Sequence, residues 1–192
     1  MTKSRTAERI KSAALKILVD QGADAVTMRQ VAADAGVTTM ASYRHFPNRE
    51  ALLRAVADEA FAALESAWEK REASGDFEAR FFGLLEEFLD FALGRPNLYA
   101  YLMTDRREGA HRLQDFERRG PVAFRQVVLA VEQGMREGAL ATDDLLEVTL
   151  AITSPTVGLV QFYLGGRIAG TEPEFRALCR RTTERVLHGF RK

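Results

Sequence analysis

Apolar residues recur along this chain at three- and four-residue intervals, and no convincing two-residue alternation of a half-buried strand appears. Ile10, Ala13, Ala14, Ile17 and Leu18 form one such stripe over residues 6–21, closed by Gly22, and predict a first helix. Val31, Ala32 and Ala35 lie on one face of a second, shorter helix. Thr27 with Gln30 fits a capping box at its start, and Gly36 fits the left-handed position after its end. Val37 tucks under the turn, and Thr38 can cap a third helix. Phe46-Pro47-Asn48 then breaks the pattern. Asn48 caps a long helix over residues 49–72, with Leu52, Val56, Ala60, Ala63, Leu64, Ala67 and Trp68 on its apolar face.

Further on, Gly75-Asp76 opens a helix to about Leu93, dense in Phe77, Phe81, Leu84, Leu85, Phe88, Phe91 and Ala92. Arg95-Pro96-Asn97 ends it, and Leu98–Thr104 reads as a short helix. Asp105–Arg119 is polar and weakly periodic, a loop with room for one helix. Pro121 opens a helix to about Glu137, which Gly138 stops, and Thr142-Asp143-Asp144 opens the next, to about Leu164, with a kink expected at Pro155. Thr171 with Glu174 gives a capping box for a last helix to about Phe190. The chain is therefore expected to be all-α, with about nine helices.

Two short helices joined by a glycine-containing turn form a helix-turn-helix, whose second helix enters the DNA major groove. The first helix packs across them, so residues 1–47 read as a three-helix DNA-binding module. Residues 48–192 read as a second helical domain, with the helix 49–72 linking the two. Formal net charge is zero over 192 residues, which alone argues against nucleic acid. Its distribution argues the other way: Lys3, Arg5, Arg9, Lys11 and Lys16 face only Glu8, and Arg29, Arg44, His45 and Arg49 follow. Acidic residues concentrate in 65–90 and 132–147.

At 46% hydrophobic and 28% charged, the composition is that of an ordinary globular protein. No uncharged apolar run of membrane-helix length stands out, and the basic N-terminal stretch lacks a signal-peptide core. One cysteine, Cys179, excludes an intrachain disulfide framework and suits a reducing cytoplasm. Catalytic signatures are lacking: the chain has no GxxxxGK[ST], HExxH, GxSxG or paired CxxC, and His111, His188 and Cys179 lack metal-ligand spacing. Glu86-Glu87 and Asp143-Asp144 are sequence neighbours that point apart on a helix, so neither pair can flank a substrate. We expect no enzyme, no cofactor, no metal site and no membrane partner.

The residues after the turn glycine, Val37, Thr38, Tyr43, His45, Phe46, Glu50 and Leu52, follow the pattern V-T/S-x-x-x-x-Y-x-H-F-x-x-x-E-x-L. With Ile10, Ala13, Ala14, Leu18, Gly22, Thr27, Arg29, Val31, Ala32, Ala35 and Gly36, they make the first third of the chain resemble the TetR family of bacterial transcriptional regulators. The resemblance implies a helical ligand-binding and dimerisation domain behind the DNA-binding one. Many members carry Gly-Thr-Leu before the tyrosine, where this chain has Met40-Ala41-Ser42, so Ser42 stands at a usually buried leucine and Met40 is expected to fill part of that space. Asn48-Arg49 stands where Ser-Lys is common, and arginine keeps the phosphate-binding charge.

Candidate DNA contacts follow from residue chemistry and from this likeness. Thr27, at a helix start, suits a phosphate. Arg29 suits base reading, because arginine can bridge both acceptors of guanine. Thr38, Thr39 and Met40 offer short or apolar contacts, such as to a thymine methyl. The resemblance implies backbone contacts for Tyr43, His45 and Arg49. Thr27 and Thr38 as simple caps, Tyr43 as core and His45 as ordinary surface remain the structural alternatives.

The resemblance also implies a homodimer on a palindromic operator, with the last two long helices forming a four-helix bundle. Val157, Val160, Tyr163, Phe175, Cys179 and Val186 are the expected interface residues. It further implies a small-molecule effector that releases the DNA. An aromatic-rich pool, Trp68, Phe81, Phe88, Tyr99, Tyr101, Met103, Phe124, Phe162 and Tyr163, with polar Asn97, Asp105, His111, Gln126 and Gln161, points to an apolar or aromatic compound. A cytoplasmic repressor is the expected function. The alternative is an all-α adaptor that docks another protein through its N-terminal module.

Overall fold

The computed structural model describes residues 2–69, 75–104 and 122–191, and every regular element among them is helical. They are α1 (Thr2–Gln21), a short 3₁₀ turn (Ala23–Ala25), α2 (Met28–Asp34), α3 (Thr39–His45), α4 (Arg49–Glu69), α5 (Phe77–Gly94), α6 (Pro96–Thr104), α7 (Val122–Glu137), α8 (Leu145–Leu164) and α9 (Glu172–Gly189). The expected loop at Asp105–Arg119 lies outside the described residues, as do residues 70–72 of the expected linking helix. The first helix begins four residues earlier than its apolar stripe, and the 3₁₀ turn has no counterpart in the predicted pattern.

Contacts divide the chain into two compact units, Met1–Leu64 with Arg95–Arg107, and Glu65–Gly94 with Glu108–Lys192. In the first unit, Ile10, Ala14, Ile17 and Leu18 of α1 are buried with Val31 and Ala32 of α2 and Leu52, Leu53 and Val56 of α4. Burying each large aliphatic side chain contributes roughly 1.5–3 kcal/mol, so this small core depends on nearly every member. Chain order suggested that α6 would serve the second domain. Instead α6 packs on α1 and the 3₁₀ turn, with Leu98 and Tyr99 fully buried. Asn97 Nδ2 donates to the Val19 carbonyl at 3.0 Å, which holds α6 to the end of α1.

The second unit pairs α5 with α7 and α8 with α9. Phe77 and Phe81 pack at 5.7 Å between ring centroids, and Phe81 meets Phe82 edge-on at 6.0 Å. Gly134 on α7 makes room for Phe77: a Cβ there would stand 2.8 Å from the ring and 3.1 Å from Leu140. Tyr163 stacks on Phe175 at 4.1 Å, and the buried Thr156 and Thr183 hydroxyls share a hydrogen bond of 3.2 Å between α8 and α9. Arg176 bridges Glu86, Asp90 and Glu172 at 3.1, 2.8 and 2.8 Å, tying α9 to α5.

Helix α8 corrects one expectation. It is long and apolar enough, by length and composition, to cross a membrane, with a mean hydropathy of 1.4. Thr149, Thr153, Ser154, Pro155, Thr156 and Gln161 interrupt its apolar residues, so no unbroken apolar run marks it in the sequence. The helix continues through Pro155. One face, carrying Leu146, Val148, Ile152 and Val160, is buried within the unit.

Candidate nucleic-acid interface

The helix-turn-helix is built by its caps. Thr27 Oγ1 accepts from the Gln30 amide at 3.2 Å, opening α2. The other half of the expected capping box does not form: the Gln30 side chain donates instead to Asp34 Oδ1, one turn on, at 2.7 Å. Alpha2 closes in a Schellman motif, with Val37 N–H donating to the Ala32 carbonyl at 2.9 Å and Gly36 N–H to Ala33 at 3.0 Å. Gly36 takes φ +62°, a region that costs a side-chain-bearing residue about 1–2 kcal/mol. Thr38 Oγ1 then accepts from the Ala41 amide at 3.2 Å and starts α3.

Ser42 is wholly enclosed, and its hydroxyl donates to the Thr39 carbonyl at 2.7 Å, so its polarity is satisfied within the helix. Met40 does not fill the space beside it. Residue 40 lies on the outer face of α3, 68% exposed. Tyr43 is 47% exposed and so not core, and Thr27, Arg29, Thr38, Thr39 and Arg44 are exposed as well, while His45 is half-buried. Alpha2 and α3 thus present Arg29, Thr38, Thr39, Met40, Tyr43 and Arg44 outward. Arg29 and Arg44 make no hydrogen bond or ion pair among the described residues. Arg44 joins the predicted contacts, and its place in the last turn of the second helix of the helix-turn-helix is the sequence signal for it.

Lys11, Arg9 and Arg49 do have partners. Lys11 pairs with Glu59 and, at 2.9 Å, with Glu8; its hydrogen bond to Glu59, then that to Glu8, raises its pKa above the ordinary lysine value. Arg9 donates to the Ala35 carbonyl, with Gly36 O at 3.4 Å. Arg49 donates through Nε to Val26 O at 2.8 Å and through Nη2 to Ala23 O at 2.6 Å. The guanidinium expected to meet a phosphate is thus engaged with the protein's own backbone.

Two sequence models of known families match this chain. That of bacterial regulatory proteins of the tetR family covers residues 10–56, and that of the tetracyclin repressor-like C-terminal domain covers residues 81–186, more than half of the chain. The chain belongs to the TetR family. As a TetR-family protein it is a DNA-binding transcription regulator. Similar solved structures include a protein of unknown function from Rhodococcus sp. RHA1, 25% identical with TM-score 0.79, over 97% of this chain and 96% of that one. A TetR transcription regulator from Haloarcula marismortui is 18% identical with TM-score 0.73, over 98% and 100% of the two chains. RolR, crystallised with its ligand resorcinol, is 21% identical with TM-score 0.65, over 99% and 89%. No curated protein sequence matches significantly.

In this TetR-family chain the residues expected around an effector are dispersed. Tyr99 is enclosed in the first unit and Asn97 is hydrogen-bonded there, which removes both from a pocket in the body. Phe81 is buried among phenylalanines, Phe88, Tyr101, Phe124, Gln126 and Gln161 are half-buried, and Met103 and Phe162 are exposed. Asp105, His111 and the Trp68 side chain lie outside the described residues. An open cleft of about 780 Å³ in the second unit is lined by acidic residues of α5, Phe82 and Arg180, and holds none of the expected residues.

Three of the expected interface residues also change place. Val160, Phe175 and Cys179 are fully buried or nearly so, because they lie on the sides of α8 and α9 that face each other. Burial, followed by the nearby Glu86 charge, pushes the Cys179 thiol up to about 11. Val157, Tyr163 and Val186 remain half-buried. The outer side of α8 instead carries Ala151, Ser154 and Phe162.

Proposed function

We propose that this TetR-family regulator is a homodimeric repressor that leaves a palindromic operator when a small, largely apolar effector binds. In this reading residues 1–47 carry DNA binding, and residues 48–192 carry effector binding and dimerisation. The observation that carries it is the outward face of α2 and α3, where exposed Arg29 and Arg44 flank Thr38, Thr39, Met40 and Tyr43 without internal partners. Arg29 reads bases, Met40 offers an apolar contact, and Thr27, Tyr43, His45 and Arg44 meet the backbone, which sets register.

The dimer is supported by α8, of which only a third is buried within the chain although it is the most apolar long helix. Phe162, 51% exposed, lies on that open side. A two-fold pair would set two recognition helices about 34–36 Å apart, one DNA turn, or further. Phe162→Glu is expected to give monomers in sedimentation velocity, and an unchanged dimer would remove that face from the interface.

The effector class rests on aromatic residues of the second unit, chiefly Phe88 and Phe124 with Gln161, and on RolR, a protein of the same fold that takes the small aromatic diol resorcinol. The deciding experiment is a mobility shift of DNA from the protein's own promoter across salt, followed by a panel of small aromatic compounds. Binding that weakens steeply with salt supports the regulator. No binding at low salt would favour a protein-docking adaptor, and failure of every hydrophobic compound to release DNA would remove the effector class.

A further inference from the structure

The helix-turn-helix is held by two arginines that belong to neither of its helices. A seven-residue helix is too short to persist alone in water, so α2 and α3 depend on what fixes their ends. Arg9 reaches from α1 to the carbonyls of Ala35 and Gly36, at the turn between them. Arg49 reaches from the first turn of α4 to the carbonyls of Ala23 and Val26, on the loop leading into α2. The peptide bond is planar and trans, so holding the Val26 carbonyl also sets the direction of the Thr27 N–H, which has no acceptor among the described residues.

The surroundings of Arg49 disfavour an added phosphate. Its side chain is only 34% exposed, and the carboxylates of Asp24 and Glu50 stand 3.9 and 3.7 Å away, where they would repel a further anion. Its fork is already divided between two carbonyls three residues apart. Lysine, a single point charge without that planar fork, cannot reproduce the arrangement.

We propose that Arg49 is a positioning residue for DNA binding and not a phosphate ligand: it fixes the loop that leads into α2 against α4, as Arg9 fixes the turn against α1. This rests on the DNA-binding reading above. The test compares the full-length wild type with Arg49→Lys, Arg49→Gln and, as a phosphate-type control, Arg44→Ala, on promoter DNA across a salt series. Melting by circular dichroism confirms that each variant is folded at the assay temperature. Loss of a phosphate contact lowers the slope of log K against log salt by about one. We expect Arg44→Ala to do so. Both Arg49 variants should instead bind roughly tenfold more weakly or worse with the wild-type slope, the loss being geometric and not ionic.

Rescue by lysine, a slope lowered by about one in Arg49→Gln, or unchanged affinity in both variants would each overturn the proposal. Should the variants fail to fold, the wild type still decides. With arginine labelled at Nε, the Arg49 Nε–H resonance should be protected from exchange in the free protein and should stay in place on adding DNA. An exposed resonance, or one that moves on titration, overturns the positioning role. Wild type that binds no DNA at low salt would overturn the DNA-binding reading and this role together, a result distinct from failure of the Arg49 variants alone.

Discussion

In the unit formed by Met1–Leu64 and Arg95–Arg107, Arg9 and Arg49 donate to main-chain carbonyls; in the unit formed by Glu65–Gly94 and Glu108–Lys192, Arg176, Arg180 and Arg191 donate to carboxylates. Arg9 and Arg49 hold loops, whereas Arg176 joins Glu86, Asp90 and Glu172, Arg180 meets Glu184 at 3.1 Å, and Arg191 meets Glu78. The contrast follows from helix length. Helices of seven residues cannot fix their own ends, so the loops around α2 and α3 need outside donors. Helices of sixteen to twenty residues hold their own backbone and need only register against neighbours. Exposed ion pairs are worth little, about 0–1 kcal/mol each. Stability of the second unit must therefore come from its aromatic core, while the first adds satisfied loops to its own apolar core.

Substitutions that separate these two sources test the contrast. The largest effect is expected from Phe81→Ala, which empties a buried site between Phe77 and Phe82 and should cost about 3–5 kcal/mol in urea unfolding. A loss below about 1 kcal/mol would mean that the ion pairs matter more than the rings. Gly134→Ala should be next. In an exposed helix interior this change gains about 1 kcal/mol. Here the new methyl meets Phe77 at 2.8 Å, so a loss of about 1–3 kcal/mol is expected. In the first unit Gly36→Ala combines backbone strain at φ +62° with a Cβ 2.8 Å from Arg9 Nη2. It should cost about 1–2 kcal/mol in unfolding and also weaken promoter binding. An effect on stability without one on DNA would show that the turn is not part of the binding geometry.

How far the sequence revealed each unit differs for the same reason. Caps and turn glycines are local signals, so Thr27, Gly36, Thr38, Thr171 and the limits of most helices could be read from residues three or four apart. The partners of Arg49 could not. Val26 and Ala23 lie twenty-three and twenty-six positions away and accept through backbone carbonyls, which every residue type possesses. The likeness to lysine-bearing relatives pointed to a phosphate because charge carries over between sequences and loop geometry does not. Placement of α6 was hidden likewise. Its Leu98, Tyr99 and Leu102 mark an apolar face, but periodicity does not say what that face meets. Alpha8 is apolar on both sides and α9 on one, and periodicity does not say which neighbour a stripe meets, so Val160, Phe175 and Cys179 read as interface when they fill the seam between the two helices.

The smallest expected difference lies in the caps themselves. At α9 the capping box is complete: Thr171 N–H and Oγ1 donate to Glu174 Oε2 at 2.8 Å, and Thr171 Oγ1 lies 3.5 Å from the Glu174 amide. At α2 only the threonine half exists, and its third residue is a glutamine, which does not titrate. The backbone hydrogen bond from Thr171, then that from its hydroxyl, holds the Glu174 carboxyl below its ordinary value. A carboxylate with a depressed folded pKa stabilises above its unfolded pKa, and that contribution fades as pH falls through the folded value. Thr171→Ala should therefore cost about 1 kcal/mol at neutral pH and less once Glu174 is protonated. Thr27→Ala should cost much the same at both pH values. Paired denaturant titrations at pH 7 and at successively more acid pH, each variant against wild type, read this difference. An equal acid dependence for the two would mean that Glu174 contributes nothing to the cap.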